Sequence, residues 1–303
     1  RPNQLPSFVQ SLYIDFAAEA LAGVTKNIAG GNAQAATNLI PTIDNYPALA
    51  TDLRLGASDC VDWIPPAQGE PSTKPLNGGA GQFPTVGRAA FFSSLRTSGY
   101  KNALGNDFSE AIGRLDNAMG ELDSYTNQNS VSDIAVYVGF SMSGGTGCGI
   151  FLDVIQLLMH EMHERLGAVG VTVLPIVMLP STFDGLLPAD NERRAKLNCA
   201  RALLDLTELI EQLQTPNAAR QKKFRIQYPD RSLGSNGEVS IEFIGKAPMI
   251  PVATLVSKPA IMDRNDVARS VAASIVAQAS TVRQTKSAGV VAGAPVENRN
   301  SFI

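Results

Sequence analysis

The sequence predicts an α/β fold, a mostly parallel sheet with helices on both faces. Three observations carry this: apolar runs of strand length bounded by turn residues, helical apolar stripes between them, and glycine clusters where the chain passes into a helix. With 303 residues and 44% hydrophobic content, the chain can bury a sizeable core without metals or disulfides.

Taken in order, residues 11–16, 132–140, 170–179 and 252–257 are rich in Val, Ile, Leu or aromatic side chains and predict strands. Residues 63–77 are rich in Pro, Gly, Ser and Thr and form a loop, because prolines remove amide donors and forbid continuous helix. That loop leads into Asn77-Gly78-Gly79-Ala80-Gly81-Gln82-Phe83, and Pro84 is well placed in the first turn of a helix over 84–94. A second helix is predicted just after Gly149, where Phe151, Val154, Ile155, Leu158, Met162 and Leu166 fall three or four residues apart. Similar spacing marks 200–213 and 266–278. Residues 224–228 and 238–244, joined through a turn rich in Gly and Asn, read as a hairpin inserted at 221–245. The sheet domain therefore spans 1–280. Residues 281–303, polar and then rich in Gly, Ala and Pro, form a flexible tail or the start of a further domain.

Composition narrows the function. Lys plus Arg total 25 against 28 for Asp plus Glu, without the basic excess that binding a nucleic-acid backbone demands. The apolar stretch 169–180 is interrupted by Thr172, Pro175 and Pro180 and is too short to cross a bilayer. Cys60, Cys148 and Cys199 are odd in number and scattered, as in a reducing compartment, and the cytoplasm is the expected location. The chain starts at Arg1 with no charged-then-apolar leader, and further sequence is expected in front of it.

The chemistry lies in the glycine clusters. Ser143-Gly144-Gly145-Thr146-Gly147-Cys148-Gly149 sits between an apolar strand and an amphipathic helix. There glycines let the backbone approach an anion, the helix dipole adds partial positive charge, and Thr146 offers a hydroxyl. The competing explanation is a tight strand-to-helix turn needing glycine for steric reasons alone. The run matches neither the Walker pattern nor GxGxxG. For the cluster at 77–83 the alternative is a plain connection, and the pairing of two such loops favours a phosphate cradle. His160 and His163 in HEMHE are three apart, whereas the zinc motif it suggests needs four, so they read as a solvent-facing helix end. Cys148 stands at a helix start, where close packing explains a small residue and no nucleophile is assigned.

These residues resemble the tubulin/FtsZ superfamily. SGGTGCG is similar to the tubulin signature GGGTG(S/T)G, and GGAGQFPTVGRAA to the FtsZ loop GAGxNPxxGRxAA, in the same order. YIDFAAEAL resembles IDTDAQAL, and LPSTFDG resembles KPFxFEG. The SMSGGTG and GAGQF wording is closest to large actinobacterial tubulin-like proteins. The resemblance implies a three-layer Rossmann-like nucleotide-binding domain that binds GTP or GDP, accompanied by Mg2+, and assembles head to tail into filaments with further cytoskeletal partners. It implies that Gly79, Ala80 and Gly81 approach the terminal phosphate and that Ser143, Gly144, Gly145, Thr146, Gly147 and Cys148 wrap the others. Asp184 stands where the family has a ribose-contacting Glu. Asp266, in RNDV, matches the Asp that reads guanine in AANDV; a dipole-complementing helix carboxylate is the other explanation.

The sequence also departs from the family. Its first glycine loop is expected before Leu12 and is absent, Ala17 replaces a second acid and leaves Asp15 as the nearby carboxylate, and Ala260 and Ile261 stand in place of a base-contacting Asn and a stacking aromatic. The acidic NxDxxD-like loop that promotes hydrolysis in a neighbouring subunit is not recognisable, Glu297 being the closest acid. Three functions stay open: a polymerising GTPase, a nucleotide-binding scaffold without hydrolysis, and an unrelated enzyme on a doubly wound sheet. In each case ligands are expected at the carboxyl edge of the sheet.

Overall fold

In the computed structural model the described residues are 8–17, 19, 21–22, 35–38, 45–56, 63–64, 76–126, 133–167, 170–214, 225–230, 233–234, 237–242, 250, 252–259 and 261–287. The elements are β1 (Leu12–Asp15), β2 (Ala35–Asn38), α1 (Tyr46–Gly56), α2 (Pro84–Ser98), α3 (Asn106–Thr126), β3 (Asp133–Ser141), α4 (Gly145–Leu166), β4 (Gly170–Met178), α5 (Ala189–Gln214), β5 (Arg225–Pro229), β6 (Glu238–Glu242), β7 (Thr254–Val256) and α6 (Arg264–Ser287). The chain is α/β, with a parallel sheet flanked by helices, as its apolar pattern predicts.

β3, β4 and β7 form that sheet, with β4 in the middle. Ser141 pairs with Met178, and Met178 with Val256, so the three strands end in one row. The segments that follow them therefore leave from one carboxyl edge, and two hydrogen bonds tie them there: Met142 N donates to the Met178 carbonyl (3.2 Å) and Leu179 N to that of Val256 (2.9 Å). β1 and β2 form a separate parallel pair. β2 reads AATN, without the apolar run that marks the other strands.

A central strand must be apolar on both sides, and β4 is. Val173 and Val177 pack with Phe151, Ile155 and Met159 of α4 and Cys199, Ala202 and Leu206 of α5, while Leu174 and Ile176 are buried on the opposite face. α4 has a second apolar side. Its Ile150, Leu157 and Met162 join Val86, Ala89 and Phe91 of α2, Phe108 and Ile112 of α3, and Tyr228 and Ile241 of the antiparallel β5–β6 pair. The β5–β6 pair is thus anchored in the main core, with the Tyr228 ring 5.4 Å from that of Phe92. Asp153 of α4, only 1% exposed, is satisfied inside this core by Arg88 of α2 (3.0 and 3.1 Å) and by the Tyr228 hydroxyl (3.0 Å).

Predicted helix boundaries shift. α4 begins at Gly145 and not after Gly149, so the glycine run supplies the first helical turn. α5 and α6 extend beyond the predicted 200–213 and 266–278, because their terminal turns carry polar residues that periodicity overlooks.

Candidate functional site

β3 ends at Ser141, and three residues later α4 starts with Gly144 as an extended N-cap (φ −94°, ψ 171°) and no capping side chain. The first amides of a helix have no intrahelical acceptor. One of these, Gly145 N, donates to the Gly81 carbonyl at 2.6 Å, and just ahead of the helix Ser143 N donates to Ser141 Oγ at 3.1 Å. By helix geometry Gly144, Thr146 and Gly147 remain as amides for an anion, at the positive end of a 22-residue helix.

The glycines divide by role. A Cβ on Gly145 would lie 2.6 Å from the Ala80 carbonyl oxygen and 2.8 Å from that of Phe83; one on Gly147 would lie 2.5 Å from the Ser141 carbonyl oxygen. A Cβ on Gly149 would meet the Pro84 carbonyl, and one on Gly87 that of Gly145. Gly87 and Gly149 let α2 and α4 approach backbone to backbone, Gly145 lets α4 meet the loop before α2, and Gly147 lets it turn tightly against the end of β3, as the steric explanation requires. Gly144 differs, since its nearest neighbour would be the Gly81 oxygen at 3.8 Å.

In the loop before α2, Gly79 (φ 95°) and Gly81 (φ 57°) occupy the left-handed region that favours glycine. A Cβ on Gly78, Gly79 or Gly81 would meet nothing within 4 Å, so this loop is open on its outer side. Its inner side is anchored by Ala80, which is buried against Gly145. The two glycine loops, far apart in sequence, are thus in direct contact. Beside the contact two polar atoms are buried without a hydrogen-bond partner: Ser143 Oγ, in a residue 2% exposed, and Gln82 Oε1. A buried hydroxyl left unpaired is costly unless something arrives to meet it.

α5 closes the junction. Asn198 Nδ2 donates to the Gln82 carbonyl (3.1 Å) and to the Ser143 carbonyl (3.4 Å), and the Arg194 guanidinium lies 4.8 Å from the centre of the Phe83 ring. Cys148 Sγ donates to the Asn198 carbonyl at 3.5 Å. Burial, with Cys199 and Asp205 nearby, pushes the Cys148 thiol up to about 12, a protonated and unreactive state.

The remaining candidates lie elsewhere. Asp184 is exposed in the turn after Pro180–Phe183, on the segment leaving β4 at the carboxyl edge. That segment is tied to the one after β7, where Ser181 and Ser257 hydroxyls sit 3.0 Å apart. Asp266 exchanges hydrogen bonds with Asp263: Asp266 N donates to Asp263 Oδ1 (2.8 Å) and Asp263 N to Asp266 Oδ2 (3.2 Å). This is a reciprocal cap at the start of α6, with Arg269 3.6 Å from Asp266 Oδ1. Asp15 closes β1, its Oδ1 accepting from Phe16 N (2.7 Å) and Ala17 N (3.3 Å). Ile261 is 94% exposed, while Ala260 and Glu297 lie outside the described residues.

Asn198, Arg194 and Gln82 were not singled out from the sequence. The available signal was an Asn next to Cys199 on the apolar side of a helix, a polar residue where periodicity calls for a hydrophobe. Among the described residues no group of three or more His, Cys, Asp or Glu side chains could hold a metal ion, and no helix is long and apolar enough to cross a membrane. A family model described as tubulin like matches residues 1–300 of the chain. No curated protein and no solved structure matches it.

Proposed function

The chain belongs to the tubulin-like family, and from that premise we propose that it is a bacterial, cytoplasmic GTP-binding protein, closest to the actinobacterial branch, that assembles head to tail into nucleotide-regulated filaments. The observation that carries the reading is the contact of the two glycine loops, with Ser143 Oγ buried and unpaired beside it. Backbone amides at the start of α4, the Thr146 hydroxyl and the open ridge of Gly78, Gly79 and Gly81 suit a chain of phosphoryl groups better than any neutral ligand. The phosphate-bearing ligand of this reading is GTP or GDP. Any Mg2+ would be held chiefly by the phosphates, because no cluster of carboxylates stands ready among the described residues.

Asp184 is proposed at the ribose and Asp266 at the guanine edge, the latter with part of its carboxylate already engaged in capping α6. Heterologous contacts through the carboxyl edge propagate a filament when the rotation per subunit does not close a ring. A second reading, a scaffold that binds nucleotide without hydrolysing it, is favoured by one observation: Asp15 Oδ1 is taken up by its own turn, and Ala17, two residues on, stands in place of a second acid.

Calorimetry with GTP and ATP on the full chain tests the binding, and saturable uptake of GTP is expected. Uptake of neither nucleotide would remove the reading. Phosphate release measured alongside sedimentation then separates a polymerising GTPase from the scaffold.

A further inference from the structure

We infer that Asn198 is a positioning residue that latches the two glycine loops to each other, and so favours a ligand long enough to span both; this rests on the nucleotide-binding reading above. A side-chain amide nitrogen carries two protons, and here each has its own acceptor, the Gln82 carbonyl in one loop and the Ser143 carbonyl in the other. Two facing carbonyls also fix which end of the amide points inward, since only the NH2 end can donate to both. The direct backbone link between the two loops is the bond from Gly145 N to the Gly81 oxygen.

Two further contacts bring α5 to the same place. Arg194, one helical turn before Asn198, lies over Phe83 at the end of the first loop, and the Asn198 carbonyl accepts from Cys148 in the first turn of α4. A short phosphate chain can rest on the α4 turn alone, held by its amides and dipole. A longer chain must touch both loops at once, and depends on their relative position to within a fraction of an ångström. Loosening the latch therefore penalises the triphosphate more than the diphosphate.

The test uses the full chain with Asn198→Asp, which sets an oxygen against two carbonyl oxygens, and Asn198→Ala, which only removes the donors. Two quantities are measured: affinity for GDP and for a non-hydrolysable GTP analogue by calorimetry, and amide exchange over 78–83 without ligand. For Asn198→Ala the expected result is a loss of about tenfold or more for the analogue, about threefold or less for GDP, and faster exchange over 78–83. Asn198→Asp should show the same pattern more strongly. Equal losses for both ligands would show general destabilisation and overturn the proposal, as would unchanged exchange in both variants. If the unaltered protein bound neither ligand, the nucleotide reading would fall. The exchange measurement would still decide whether Asn198 holds the loops together. Should Asn198→Asp fail to fold, Asn198→Ala carries both measurements.

Discussion

Replacing Gly145 by Ala tests whether the two glycine loops work as one site. The added Cβ would stand 2.6 Å from the Ala80 carbonyl oxygen, 2.8 Å from the Ala80 Cβ and 2.8 Å from the Phe83 carbonyl oxygen. Ordinary contact starts near 3.4 Å, so the 80–83 segment must retreat by roughly 0.8 Å, and most of what it meets is backbone, which cannot rotate away. Overpacking of this kind costs about 1–3 kcal/mol, against which Ala in place of Gly returns about 1 kcal/mol of helix propensity. A net loss of up to about 2 kcal/mol is expected in urea unfolding without nucleotide. Affinity for GTP should fall by about tenfold or more, because the retreat also stretches the bond from Gly145 N to the Gly81 oxygen. Gly144→Ala serves as the stability control. Its Cβ would meet only the Gly81 oxygen, at 3.8 Å, and stability should change by about 1 kcal/mol or less. A Gly145→Ala protein that binds GTP as tightly as the unaltered chain would refute the idea that loop contact builds the site.

Asp153→Ala should destabilise the fold by about 3 kcal/mol in urea unfolding, the low end for a broken buried pair because Arg88 keeps partial access to water and to the Trp63 ring. A loss under about 1 kcal/mol would show that the pair contributes little. Stability should decline as pH rises past about 9, where thiols and then phenols ionise in the unfolded chain. Burial holds the Cys148 thiol up to about 12, and burial together with Glu161 and Asp153 respectively raises Tyr100 and Tyr228. The folded state thus keeps protons that the unfolded state sheds, and the stabilisation present below about pH 9 is lost above it; a urea midpoint level to about pH 11 would contradict this. Asp266→Ala should cost about 1 kcal/mol through loss of the reciprocal cap with Asp263, and should weaken any preference for GTP over ATP. If that preference survives at full strength, Asp266 acts as a cap alone.

Much of the architecture was legible from residue order. β3, β4 and the helix between them follow from apolar period and from glycine at the turn, because a strand buried on both faces and an amphipathic helix impose different spacings on the same hydrophobes. β2 was not legible: AATN has no apolar run, and it is a strand because it pairs with β1. The start of α4 was misplaced because glycine is a poor helix former in isolation, whereas here Gly145, Gly147 and Gly149 enter the helix to let backbones touch.

The sequence by itself determined that the chain is α/β and carries two glycine loops ahead of helices, since turn conformation and helix starts are encoded over a few neighbouring residues. Only the tertiary structure decided which glycines serve packing and which leave open space, and that Asn198 bridges the loops. Those outcomes depend on α2, α4 and α5 meeting at one junction, and contacts between residues so distant along the chain are set by how whole faces pack, which no local pattern records.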